Sequence, residues 1–154
     1  MARELLSLEN ATLLFKNFSG TESKFNHAGD RNFCVFIDND LAMDLASDGW
    51  TVKKTNPRDP DEEPKYYIKV KVSYKIRAPK VYRISGRSKV ALDEDTIGEL
   101  DWANIVTADV DISPSHYEYA GKSGYTGYLE NLYVVINKSR FEDKYNFEEE
   151  TPFN

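Results

Sequence analysis

Between Lys65 and Leu92 the chain carries nine basic residues and no acidic one, although Asp and Glu outnumber Lys and Arg by 26 to 20 over its 154 residues. The nine are Lys65, Lys69, Lys71, Lys75, Arg77, Lys80, Arg83, Arg87 and Lys89, with Tyr67 and Tyr82 among them. Cations along an extended chain can meet phosphates, and exposed rings can stack on any base. The combination suits a surface that grips a single nucleic-acid strand without reading its sequence. In an extended chain Tyr67, Lys69, Lys71 and Lys75 share one face, and a neighbouring strand brings Lys80 and Tyr82, or Arg83 on its opposite face, beside them. A net charge of −6 does not exclude this. Phosphates respond to charge within a Debye length of about 8 Å, so a basic face works inside an acidic protein. The competing reading is a solvated strand face whose lysines protect a sheet edge. The missing counter-charges favour binding.

Other chemistry finds little support, and no catalytic residue, metal site or cofactor is expected. Gly121-Lys122-Ser123 ends like a phosphate-binding loop, but the glycine that such a loop needs earlier is replaced by His116. His27 and His116 stand far apart without a Cys or paired His at ligand spacing, which argues against zinc. Asp109 and Asp111 would share a strand face, and with Asp93, Asp95 or Asp101 they could hold magnesium in a nuclease; alternate acids on a wet strand face are the simpler reading. Cys34, the single cysteine, lies in the apolar run Phe33–Ile37 and reads as a buried small hydrophobe. Neither it nor any serine has a visible base.

The elements that must position the basic stretch are strands. Ile68, Val70, Val72 and Tyr74 alternate with Tyr67, Lys69, Lys71, Ser73 and Lys75, so Tyr66–Lys75 is expected to bury one face and wet the other. Ala11–Phe18, Asn32–Ile37, Trp50–Lys54, Lys80–Ser85 and Lys89–Leu92 read as further strands, whereas Met1–Glu9 fits a short helix or a loose arm. Val106, Ala108, Val110 and Ile112 alternate in a strand that Pro114 is expected to end. Tyr117–Ala120, a Gly121–Gly124 turn and Tyr125–Leu129 make a hairpin, and Leu132–Ile136 a last strand. One helix is expected, capped by Asp38, Asn39 or Asp40 and stopped by Gly49. Three prolines between Thr55 and Pro64 make a surface loop. Seven to nine short strands with one or two short helices define a mainly β chain. The expected form is an OB-fold-like antiparallel β-barrel with added hairpins, and a small sandwich is the alternative.

One domain over residues 1–140 and an acidic, disordered tail over 141–154 suit the length. The tail carries five acids against one lysine. Glu148, Glu149, Glu150, Pro152 and Phe153 form an acidic run ending in an exposed Pro-Phe, which a partner's apolar pocket with a basic rim could recognise. Such a tail can also compete with DNA for the chain's own basic face. No apolar run approaches the roughly 18 residues needed to cross a bilayer, so neither membrane nor export is expected.

The stretches Phe15–Gly20, Gly29–Phe33, Asp48-Gly49-Trp50, Pro57–Pro60, Ile68–Tyr74, Leu92–Thr96 and Leu100-Asp101-Trp102 resemble those of a family of single-stranded DNA-binding proteins encoded by tailed bacteriophages. The likeness runs from about Asn10 to Lys144. It implies an OB-type barrel that coats exposed strands without catalysis, supporting phage replication or recombination in the cytoplasm of a bacterial host. Pro152-Phe153 also resembles the acidic Pro-Phe tip by which bacterial single-stranded DNA-binding proteins recruit replication partners, though Asn154 follows the Phe here. A homodimer would suit coating long strands. Two other readings compete: an acidic phage protein that binds and modulates a host protein, and a metal-dependent nuclease built on Asp109 and Asp111.

Overall fold

The structure is a computed structural model, and it describes residues 5–136 except Phe25 and Ile76. The acidic tail, with Glu148, Glu149, Glu150, Pro152 and Phe153, lies outside the described residues, as does the expected domain boundary at residue 140. In chain order the elements are β1 (Leu6–Ala11), β2 (Leu13–Asn17), β3 (Arg31–Ile37), α1 (Asn39–Asp48), β4 (Lys53–Lys54), β5 (Tyr66–Val72), β6 (Lys80–Ser85), β7 (Ser88–Leu92), a 3₁₀ turn (Ile97–Asp101), β8 (Ile105–Tyr119) and β9 (Lys122–Ile136). The chain is mainly β, with one α-helix among the described residues.

Period-two alternation does what elementary patterning requires. In β5, Ile68, Val70 and Val72 are buried while Lys69 and Lys71 are exposed. In β3, Phe33, Val35 and Ile37 point inward, and the register sets Val35 beside Ile68 and Phe33 beside Val70. α1 begins where the Asp38 carboxylate accepts the Leu41 N–H at 2.7 Å. It ends at Gly49, whose φ of 107° suits a residue without Cβ.

The hydrogen-bonded strand order is β1-β8-β9-β5-β3-β2. Its two ends, β1 and β2, are consecutive pieces of one segment interrupted at Thr12, so the sheet curls back on itself. The five strands of this ring have OB-like connectivity, with β1–β2 as the shared first strand. The sheet is mixed, where an antiparallel one was expected. β9 runs parallel to β5 at Val70↔Gly127 and to β6 at Val81↔Leu132. The reason is geometric: β5 and β6 occupy successive stretches of one edge of β9, while β8 pairs antiparallel along the other. The β6–β7 hairpin is the addition to the barrel.

Several local expectations are corrected. Leu6–Ala11 is a strand rather than a helix or arm, because Leu8 and Ala11 pair with Val110 and Ala108 of β8. The strand expected over Trp50–Lys54 shrinks to Lys53–Lys54, and β5 stops at Val72 rather than Lys75. β8 runs through Pro114, which pairs with Gly127. Pairing with β9 along this edge carries the strand past the proline, while on the other edge the described pairing with β1 reaches Leu6↔Ile112. The turn beyond is two residues, Ala120 and Gly121, both with positive φ, and β9 continues unbroken from Lys122 to Ile136.

One apolar cluster fills the ring, including Phe18, Phe33, Val70, Ile97, Leu100, Ile112 and Leu132, with the Phe18 and Phe33 rings stacked at 5.1 Å. Each such side chain contributes roughly 1.5–3 kcal/mol on burial. The 3₁₀ turn is tied across the core opening by polar contacts. Asp101 accepts the N–H groups of Phe18 and Ser19 at 2.7 and 3.0 Å, and the Lys16 ammonium donates to the carbonyls of Leu100 and Ala103.

Candidate nucleic-acid interface

The outward face of β5 is where the basic stretch meets the rest of the fold. Lys69 and Lys71 stand on it, two residues apart, and point away from the core. Beside them lies a cleft of about 420 Å³ lined by Trp50, Thr51, Lys53, Lys69, Lys71, Tyr117, Tyr119, Tyr125, Thr126 and Gly127. Three lysines and four aromatic residues therefore line it, from the segment between α1 and β4, from β4 and β5, and from the β8–β9 hairpin.

Each part is held by a specific contact. The hairpin docks on the end of α1, where the Tyr125 N–H donates to the Gly49 carbonyl at 3.3 Å and Trp50 forms a parallel bridge with Tyr125. The Trp50 and Tyr125 rings stack at 6.0 Å and 21°, and His116 packs edge-on against Tyr125 at 5.2 Å. Gly127 permits this: a Cβ there would fall 2.9 Å from the Trp50 ring and 2.8 Å from Ile112. Tyr119, beside the hairpin tip, is 81% exposed, an open ring that no core requirement explains.

The sequence-predicted residues divide into groups. Lys69 and Lys71 line the cleft, and Tyr67 continues their face with its ring edge-on to Phe15 at 5.6 Å and to Phe36 at 6.4 Å. Tyr82 and Lys89 lie on the β6–β7 hairpin, where Tyr82 stacks on Tyr133 at 5.0 Å and the Lys89 ammonium sits 4.5 Å from the Tyr82 ring. Lys75, Lys80 and Arg87 are all exposed and placed toward solvent. Arg77 and Arg83 are less free than the sequence implied, because acids from elsewhere reach them: Arg77 pairs with Glu130 at 2.9 Å and Arg83 with Glu99 at 2.8 Å. Arg83 leaves β6 on the face opposite Tyr82, which is why it meets the 3₁₀ turn. The other seven basic residues of the stretch have no ion pair among the described residues.

Sequence reasoning missed Trp50, Lys53, Tyr117, Tyr119, Tyr125 and Tyr133 as parts of a site. The one signal for them was the density of Tyr about the β8–β9 turn, which patterning assigned to an ordinary hairpin. Cys34 is buried, at 8% exposure, yet it faces outward beside Lys69 rather than into the main cluster. Burial pushes its thiol pKa up, and Lys53 and Lys69 pull it part of the way back.

The acids considered for metal have other work. Asp109 accepts the Asn10 N–H at 3.0 Å, and Asp111 accepts from Ser7 Oγ at 2.6 Å and Asn131 Nδ2 at 3.0 Å. Asp93 caps its own turn by accepting from Asp95 N and Thr96 N. Among the described residues no group of three or more His, Cys, Asp or Glu side chains could hold a metal ion.

Ring topology, the outward β3–β5 face and a hairpin carrying aromatic residues define a protein of the OB-like class. The chain belongs to the family described as "putative phage ssDNA-binding domain", whose model matches residues 1–152. Its fold is similar to that of a single-stranded DNA-binding protein from bacteriophage Enc34 solved in complex with single-stranded DNA, at 10% identity and a TM-score of 0.55, covering 88% of each chain. A C-terminal truncation of the bacteriophage Enc34 protein gives a TM-score of 0.54 at 10% identity, covering 86% of each chain. Comparison with curated proteins returns no match. No described helix is long and apolar enough to cross a membrane.

Proposed function

We propose that this chain coats single-stranded DNA without reading its sequence and without a catalytic step, using the aromatic and basic cleft as the central grip. Bases stack on Trp50, Tyr117, Tyr119 and Tyr125, and phosphates meet Lys53, Lys69 and Lys71. The single observation that carries the reading is the convergence of those rings and ammonium groups on the outward β5 face, the surface by which OB-type barrels bind oligonucleotides. Ring faces accept any base, and the lysines meet a backbone that every sequence shares.

From the cleft the strand continues past Lys75 and Lys80 to the β6–β7 hairpin, where Tyr82, Tyr133 and Lys89 offer a second platform and Arg87 extends its charge. Arg77 and Arg83 take part only by exchanging their carboxylate partners for phosphate. Membership of a phage DNA-binding family supports a role in phage replication or recombination in the host cytoplasm. Residues 141–154, with Glu148, Glu149, Glu150, Pro152 and Phe153, serve in this reading as a detachable tail on a 1–140 domain, competing for the basic face and contacting replication or recombination proteins. Contacts between copies, as in a homodimer, would help coat long strands.

The test is fluorescence anisotropy of a labelled oligothymidine of about 30 nucleotides, long enough for more than one OB site, titrated at several salt concentrations. Full-length protein is compared with a version ending at Lys144. Binding that weakens with salt and tightens without the tail is the expected result. No binding at low salt would overturn the reading.

A further inference from the structure

The interface does not end at Tyr67. Phe15 of β2 has a φ of 51°, in the left-handed region that bulky side chains rarely adopt. It sits in an irregularity of the β2–β3 pairing, where the register shifts between Leu14 and Asn17. The residue is 66% exposed, so burial does not offset the backbone strain. The bulge has a structural use, because Lys16 beyond it reaches the carbonyls of Leu100 and Ala103. That use needs no ring at position 15. Glycine adopts the same backbone conformation without strain, so a structural role alone would favour glycine there. What phenylalanine adds is an open aromatic surface, and bulges commonly re-aim a side chain beside a functional site.

The ring is aimed at the proposed strand path. It meets Tyr67 edge-on at 5.6 Å, Tyr67 meets Phe36 at 6.4 Å, and the Lys65 ammonium lies 5.5 Å from the Phe36 ring. Tyr67 shares its face of β5 with Lys69, which lines the cleft, and lies four residues from Lys71, about 13 Å along the strand. Three rings from β2, β3 and β5 thus continue the cleft at its far end, with a cation beside them.

We propose that Phe15 is a base-stacking residue that holds a nucleotide beyond the cleft, displayed by a strained bulge. This rests on the strand-coating reading. The ligand is a nucleobase of a single strand long enough to pass from the cleft to β2.

The experiment compares full-length wild-type protein with Phe15→Gly and Phe15→Trp, using labelled oligothymidines of about 4 and about 30 nucleotides, the first at the lower limit of a single OB site and the second beyond its upper limit. Phe15→Gly is expected to melt at or above the wild-type temperature and to bind the longer strand at least about fivefold more weakly, as the loss of one stacked base requires. The shorter strand, which fits within the cleft, loses little, and Phe15→Trp keeps wild-type affinity for both. Wild-type binding with unchanged Phe15→Gly affinity for the longer strand would overturn the proposal alone. So would a Phe15→Gly protein that melts lower and loses both strands equally, since that is the mark of a structural residue. Failure of wild-type protein to bind either strand would instead overturn the coating reading beneath it.

Discussion

Trp50 and Tyr125 stack with ring centroids 6.0 Å apart while the Tyr125 N–H donates to the carbonyl of Gly49, the residue that ends α1. A helix cap, the segment leading into a short strand and the tip region of the longest hairpin are therefore joined at one point, and that point forms a wall of the cleft. Gly127 is the space into which the Trp50 ring fits. Replacing it with alanine puts a methyl group into both Trp50 and Ile112. Gly127→Ala is expected to destabilise the fold by about 1–3 kcal/mol, as overpacking does. It should also weaken strand binding beyond that loss, checked by thermal melting and anisotropy on one preparation.

The lysines of the cleft and the arginines of the β6 region should behave differently. Changing Lys53, Lys69 and Lys71 to Gln is expected to weaken binding equally for oligothymidine and mixed-sequence strands. It should also flatten the dependence of log affinity on log salt by about 0.7 for each phosphate that is no longer neutralised. Arg83 is already paired with Glu99 at 2.8 Å on the other face, so Arg83→Gln should change the salt slope less than any single cleft lysine.

The Tyr74 hydroxyl is buried with no hydrogen-bond partner among the described residues. Removing an unsatisfied hydroxyl breaks no bond, so Tyr74→Phe is expected to leave stability unchanged or raise it by up to about 1 kcal/mol in a denaturant titration. Burial also pushes the Tyr74 phenol pKa up, opposed by Arg31 and assisted by Glu94 and Asp93. The folded pKa exceeds the unfolded one, so the linked stability is complete below the ordinary phenol value. It is lost as pH rises from there through the folded value. Tyr74→Phe should therefore flatten the alkaline decline in stability, and the buried Cys34 thiol, raised for the same first reason, accounts for an earlier part of it.

Asp101 and Asp109 separate structural from chemical readings of the acids. Asp101 accepts from Phe18 N, Ser19 N and Ser19 Oγ, so Asp101→Ala leaves several donors without partners. It should lower stability by about 1–3 kcal/mol. Asp109→Asn with Asp111→Asn should leave strand binding intact, and no magnesium-dependent degradation of DNA should be seen with either the wild-type or the doubly substituted protein.

Local pattern made much of the fold legible in the sequence. Ile68, Val70 and Val72 reported their own burial, Asp38 and Gly49 bounded the helix, and the run of lysines located one wall of the cleft. What could not be read were relationships between distant segments. The Trp50–Tyr125 stack depends on how the β8–β9 hairpin leans over α1, and the Arg83–Glu99 pair on how the 3₁₀ turn crosses the core. Pro114 reads as a strand end, yet pairing along β8 on one side carries the strand past it. Phe15 gave no sign of its backbone conformation, because φ at a bulge is set by the neighbouring strand rather than by the residue itself.

The central claim is that the strand lies in the cleft beside Trp50, and tryptophan emission tests it most directly. The chain has two tryptophans, and Trp102 is 89% exposed outside the cleft, so Trp102→Phe leaves Trp50 as the only reporter. Titrating that protein with oligothymidine while following anisotropy should quench Trp50 in step with binding, because a base stacks on or beside its ring. Binding seen by anisotropy with unchanged Trp50 emission would contradict the claim and place the strand elsewhere on the barrel.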